Sequence, residues 1–197
     1  IGVSPDLSSV SGDPVPVFPD GTVPSVSSDG LLVSLAGVKQ EDRRLVWVDR
    51  TGQLQGMFGK PQIYFRSPSV SPDGRTVAVG NMSAGFSREV TSLWLHQQTT
   101  SQPVPLAAGS GDAPSWSPSG EYLAYNGVTP DRTFALFVKS TTNTNEPRLI
   151  AKKLFSNSTP SWTPDGRSLI YVSEDDLWIV AADVGATPHR LLEKASH

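Results

Sequence analysis

Four copies of one seven-residue phrase, at almost constant spacing, constrain this chain more than any other feature. "PSVSSDG" begins at Pro24, "PSVSPDG" at Pro68, "PSWSPSG" at Pro114 and "PSWTPDG" at Pro160. Successive prolines lie 44, 46 and 46 residues apart. A fixed period in this range marks a stack of like supersecondary units, none of which can bury its apolar face alone.

Each copy is followed by the same kind of pattern. First comes an alternating apolar run: "LLVSLA" (31–36), "RTVAVG" (75–80), "EYLAYN" (121–126) and "RSLIYV" (167–172). Next comes a run built on an aromatic, at Trp47, Trp94, Phe137 and Trp178, and then a weaker run such as "QPVPLAA" or "PRLIA". Period-two alternation, β-branched residues and Gly/Pro punctuation all specify strands, and no window carries a helical apolar stripe. Each unit therefore reads as four short antiparallel strands. Within the phrase, Pro presets the first corner of a tight turn, Asp accepts from backbone amides, and Gly takes the left-handed position. Asp73 and Asp165 are thus turn residues, and the copies with Ser28 and Ser119 tolerate loss of the Pro or the Asp. Val26, Val70, Trp116 and Trp162 on the first strands should point into the core.

A lone four-stranded sheet leaves both faces wet, whereas sheets stacked about an axis cover each other. This predicts an all-β fold, a β-propeller with four blades of four antiparallel strands. A β-sandwich would not need the same turn at a constant period. The large aromatics, burying about 150–250 Å² each, fill the wedges between blades. The whole of 1–197 reads as one propeller segment, with blades at about 22–60, 62–108, 112–152 and 158–194. "DPVPVF" (13–18) resembles the outermost strand of a blade whose other strands lie upstream. Four blades plus an orphan strand make an open arc, part of a larger ring, with two sticky end faces. The expectation is that the piece completes a ring with another chain or pairs with its own copy.

Composition removes several function classes. The 197 residues carry a net charge of −3 with no basic run, which argues against nucleic acid or an anionic membrane surface as partner. The longest apolar stretch, "LLVSLAGV", falls far short of the roughly 20 residues that span a bilayer. There is no cysteine, hence no disulfide, thiolate or Cys-based zinc site. A start at Ile1 reads as a processed piece of something longer.

"SPSVSPDGRTVAVG", "APSWSPSGEYLAY" and "TPSWTPDGRSLIYVSEDDLWIV" resemble the TolB-like, WD-repeat-like β-propellers, over about Pro14 to Glu193. "RRLVWVDRTGQ" followed by "SPSVSPDG" is similar to the C-terminal propellers of bacterial membrane-anchored serine/threonine protein kinases. The resemblance implies a non-catalytic, extracytoplasmic (periplasmic or cell-surface) module that senses or binds a protein or peptide. None of the kinase motifs is in this chain.

Catalytic signals are thin. His96, His189 and His197 have no partner at ligand spacing, and neither HExxH nor GxSxG occurs. His96 reads as a half-buried strand residue, and Glu174, Asp175 and Asp176 read as a tight solvated link. "GSGDAP" (109–114) reads as a loop between blades. No cofactor and no metal is expected. The segments joining second to third strands are longer and varied: "GVKQEDRR", "NMSAGFSREVTS" and "NGVTPDRTF". They share one face, where binding surfaces typically form above a rigid scaffold. Phe86, Arg88, Glu89, Asp131 and Arg132 are the candidate binding residues. The leading reading is a binding scaffold that recognises a protein, peptide or small ligand. The alternative is an enzyme working through the central channel, a lyase or hydrolase, or the propeller of a prolyl-oligopeptidase-like hydrolase. The innermost strands offer Ser25, Ser69, Ser115 and Ser161, poor material for acid–base work.

Overall fold

The computed structural model describes residues 43–62, 65–82, 91–98, 100, 102–107, 111–152 and 159–192, with short strand pieces at 2–3, 10–11, 25–26 and 32–36. Strands β1 (Gly2–Val3) and β2 (Val10–Ser11) pair as a small ladder. Four antiparallel sheets follow, each a meander of four consecutive strands. The first contains β3 (Ser25–Val26), β4 (Leu32–Ala36), β5 (Arg43–Val48) and β6 (Leu54–Gln62). The second contains β7 (Phe65–Val70), β8 (Thr76–Met82), β9 (Thr91–Gln97) and β10 (Val104–Ala107). The third contains β11 (Gly111–Trp116), β12 (Tyr122–Val128), β13 (Phe134–Ser140) and β14 (Arg148–Lys152). The fourth contains β15 (Ser161–Trp162), β16 (Ser168–Ser173), β17 (Asp176–Ala181) and β18 (His189–Leu192). No helix occurs among the described residues.

The repeated turns are built as their letters require. Ser71 Oγ donates to Asp73 at 2.6 Å, Asp73 accepts from the Arg75 amide at 3.1 Å, and the Gly74 amide closes on the Ser71 carbonyl at 2.9 Å. Thr163, Asp165 and Gly166 repeat this arrangement. In the degenerate copy, the Ser119 hydroxyl takes the carboxylate's place, meeting Ser117 Oγ at 3.1 Å and the Glu121 amide at 3.3 Å. Gly74 and Gly166 stand at φ 70° and 69°, where a side chain would strain the backbone. The hydroxyl bonds and backbone amides hold the Asp73 and Asp165 carboxyls below the usual range.

Three buried clusters lie at the junctions between consecutive sheets. Leu45 and Trp47 meet Val70, Val77 and Val79; Ala78 and Leu93 meet Leu123 and Tyr125; Ala124, Leu136 and Val138 meet Leu169, Tyr171 and Val180. Apolar residues along β8 and β12 thus feed two junctions at once, one from each face of the sheet. Two further contacts recur from junction to junction. Trp116 Nε1 donates to the Ser69 carbonyl at 3.0 Å, and Trp162 Nε1 to the Ser115 carbonyl at 2.9 Å, each reaching back to the preceding sheet's innermost strand. The turns stack as well. A Cβ on Gly120 would rest 3.6 Å from the Pro72 ring, and one on Gly166 the same distance from Pro118.

Trp47 departs from the sequence expectation that groups it with Trp94, Phe137 and Trp178. Those three pair with Val79, Tyr125 and Tyr171 and face the preceding sheet. Trp47 pairs with Val33, one row along, and faces the following sheet. The register of the first two strands differs from that of the other sheets. Val26 pairs with Leu32, six residues on, whereas Val70, Trp116 and Trp162 pair seven residues on. A one-residue slip carries every later side chain to the opposite face. "GSGDAP" also differs: Gly111 to Pro114 belong to β11 and are not a loop. Gly111 is required there, since a Cβ would lie 2.9 Å from Leu93. The 13–18 segment lies outside the described residues.

Candidate functional site

Alternating strand directions give the set of sheets two rims. One carries the links from first to second and from third to fourth strands. The other carries the second-to-third links and the entries into each next sheet. Of the candidate residues, Asp131 and Arg132 are described, and they lie on the second rim.

Asp131 and Arg132 sit in a link much shorter than the sequence suggests. β12 runs on to Val128 and β13 starts at Phe134, leaving only Thr129 to Thr133 as a turn. Thr129-Pro130-Asp131-Arg132 has the same construction as Thr163-Pro164-Asp165-Gly166. The Thr129 hydroxyl donates to Asp131, the Arg132 amide closes on the Thr129 carbonyl at 2.8 Å, and the Thr133 amide bonds Thr129 Oγ1 at 3.2 Å. The Thr129 hydroxyl, followed by the charge of Lys152 at 3.6 Å, holds the Asp131 carboxyl below the usual range. Arg132 occupies the glycine's place at φ 61°, with its side chain exposed. Beside it, Phe134 is 43% exposed.

In the fourth sheet the equivalent link is a two-residue hairpin, since Ser173 pairs directly with Asp176. Both connecting residues are left-handed, Glu174 at φ 52° and Asp175 at φ 67°. That is the geometry for which Asn-Gly is the preferred pair. Asp176 meets Arg190 at 3.4 Å, and the Arg190 guanidinium lies 5.5 Å from the centre of the Trp178 ring. The acidic trio is therefore a tight link, as its sequence suggests. Relieving the two strained positions should show directly. Glu174→Asn/Asp175→Gly should stabilise by about 1 kcal/mol, which a thermal melt registers as a rise of about 3 °C.

Ser67 and Ala113 complete the pattern. Each precedes the signature proline on an innermost strand, at φ 45° and 51°, where the ladder shifts register. Asp112 Oδ1 accepts from the Ala113 amide at 2.7 Å and holds the bulge. Phe86, Arg88 and Glu89 lie outside the described residues, in the link between Met82 and Thr91. His96, half-buried by its sequence pattern, is only 4% exposed in β9. Among the described residues no three His, Asp or Glu are placed to share a metal ion.

Sequence reasoning nominates this rim by link length alone. It misses that "TPDR" copies "TPDG", a signal readable from the letters. It also misses the strain at Ser67 and Ala113, for which the sequence offers only the following proline.

Comparison with known proteins agrees with the geometry. The putative TolB from Agrobacterium tumefaciens matches with a TM-score of 0.70 at 18% identity, covering 89% of this chain and 62% of that one. The fold is a TolB-like β-propeller. The propeller domain of the Trilobed protease from Pyrococcus furiosus, described as having an open velcro topology, matches with a TM-score of 0.56 at 13% identity, over 89% of this chain and 58% of that one. The uncharacterized peptidase YuxL of Bacillus subtilis is 27% identical over 107 residues, 52% of this chain and 16% of its own length. The propeller chain thus spans less than two thirds of each of these proteins. No family model matches it.

Proposed function

We propose that this propeller is a binding scaffold that holds a protein or peptide on the rim of second-to-third-strand links. One observation carries the reading. Among the described residues, every left-handed position on the signature-turn rim is a glycine: Gly52, Gly74, Gly120, Gly166 and Gly185. Every left-handed position on the opposite half is not: Ser67, Ala113, Arg132, Glu174 and Asp175. Each such residue costs on the order of 1 kcal/mol, and strain of this kind collects at ligand clamps. At Arg132, Glu174 and Asp175, whose side chains are exposed, a chain that uses glycine so consistently on one rim has spent stability on the other for the side chains it presents there. An extracytoplasmic place, within a larger bacterial protein for which this part is the sensor, belongs to the same reading and rests on the motif resemblance.

The Arg88→Ala/Arg132→Gly variant tests the rim. Glycine suits φ 61°, so the second change removes a guanidinium without loosening its turn. Ligand-dependent thermal shift and pull-down should both lose their signal; binding that survives would remove the rim from consideration. A second reading is favoured by the match to YuxL and to the Trilobed protease propeller: the same surface serves a peptidase-associated propeller. Retention of short unfolded peptides in preference to folded proteins would favour that setting.

A further inference from the structure

We propose that the outer edge of β6 is a docking site for an extended acidic peptide segment, which pairs with it as a fifth strand of the first sheet. This stands apart from the rim reading and uses none of its residues. In each of the four sheets the last strand is outermost, and its far edge meets no other described strand. Such an edge is a template for any extended chain, and proteins guard it with short strands, prolines or charges. Three of the four edges are guarded in that way. β10 has four residues and carries Pro105 after Pro103; β14 has five, follows Pro147 and is bounded by Arg148 and Lys152; β18 has four, follows Pro188 and contains Arg190. β6 has nine residues, and its "LQGMFG" stretch (54–59) holds neither proline nor charge.

The chemistry of this edge selects the occupant. Leu54 and Met57 are 56% and 62% exposed, and by ladder position they stand on one face of the sheet, opposite Val48 and Val46. An added strand extends that apolar row. The β5–β6 hairpin (43–62) also carries Arg43, Arg44, Arg50 and Lys60 against one carboxylate, Asp49, a local charge of +3 in a chain whose net charge is −3. Arg44 and Arg50 are exposed. Asp49 is already occupied, accepting from the Thr51 and Gln53 amides, the Thr51 hydroxyl and the Gln55 side chain. The partner that fits is an extended segment in which acidic residues alternate with apolar ones. A second copy of β6 fits poorly, since pairing the two edges would set two hairpins of like charge side by side.

Gly56 is the position to test, because a Cβ there meets nothing within 4 Å and its backbone is not left-handed. The probe is the fluorescein-labelled peptide Glu-Val-Glu-Val-Glu-Val-Glu, followed by anisotropy with the full 197-residue chain. Gly56→Glu should weaken its binding at least about tenfold. Gly56→Lys, the same backbone change with the opposite charge, should bind it at least as tightly as the native chain. The peptide built with D-valine keeps the charge but cannot pair as a regular strand, and it too should bind at least about tenfold more weakly. Equal binding of the L- and D-valine peptides overturns the proposal, since charge alone then accounts for it. So does binding that Gly56→Glu leaves unchanged, and so does no binding of either peptide. A native chain that sediments at doubled mass and becomes monomeric in Gly56→Lys makes a second copy the occupant, and overturns it as well.

Discussion

Trp162→Ala should lower the unfolding free energy by about 3 kcal/mol, and Trp162→Phe by only about 1 kcal/mol. The indole does two separable things. Its ring packs against the cluster of Leu136, Ile150 and Leu169 that joins third and fourth sheets. Its N–H closes the 2.9 Å bond to the Ser115 carbonyl. Phenylalanine retains most of the ring volume and leaves that carbonyl short of one donor; alanine leaves a cavity at a junction with little freedom to collapse. Asp165→Ala is the internal comparison. It removes an acceptor from an exposed turn whose backbone closure, the Gly166 amide on the Thr163 carbonyl at 2.8 Å, is untouched. Urea melts of the three variants should show the largest loss for Trp162→Ala, a smaller one for Trp162→Phe and the smallest for Asp165→Ala. Equal losses for Trp162→Ala and Asp165→Ala would mean that the turns, not the wedge between sheets, hold the repeats together.

What could be read in advance follows from what is local. The signature turn depends on four adjacent residues, so proline, aspartate and glycine announce it and the strands on either side. Sheet number and strand order follow, because a short antiparallel link leaves a strand nowhere else to pair. Facing is less local. Trp47 and Trp94 look alike because each lies in the middle of an apolar run, but the face follows the register of the first two strands, in which Val26 pairs six residues on and Val70 seven. The candidate rim was half legible. Link length points to it, yet Asp131 and Arg132 come from a five-residue turn whose identity is hidden by an arginine standing where its sister has glycine. Gly111 is hidden in the opposite way, since a glycine amid "GSGDAP" suggests a loop when what demands it is Leu93 on the neighbouring sheet. The Thr129 turn is built from adjacent residues and differs from its sister by one letter, so only for Gly111 is the deciding contact absent from the local sequence.

The same limit applies to His96, whose surroundings are supplied by other strands and which is expected to dominate the acid side of the stability profile. Paired with Val77 and enclosed in the second sheet, it is 4% exposed, and burial pulls its pKa down from 6.5 to about 4. An imidazole that resists protonation when folded but accepts a proton when unfolded makes the unfolded state the better proton binder. Its contribution is therefore complete above pH 6.5 and lost as the pH falls toward 4. At about 1.4 kcal/mol per pH unit for one proton, the loss reaches roughly 3 kcal/mol across that window. The turn carboxylates of Asp49, Asp73, Asp131 and Asp165, all held below 3.8, act in the same direction but only beneath it. The two groups are thus separable by pH alone. Unfolding free energies measured at half-unit steps from about pH 7.5 to 3 should slope between 6.5 and 4 in the native chain. In His96→Gln the profile should be flat over that range and then fall below it as the native does. A native profile already flat across the same range would mean that His96 finds a charge partner inside the sheet and stays protonated there.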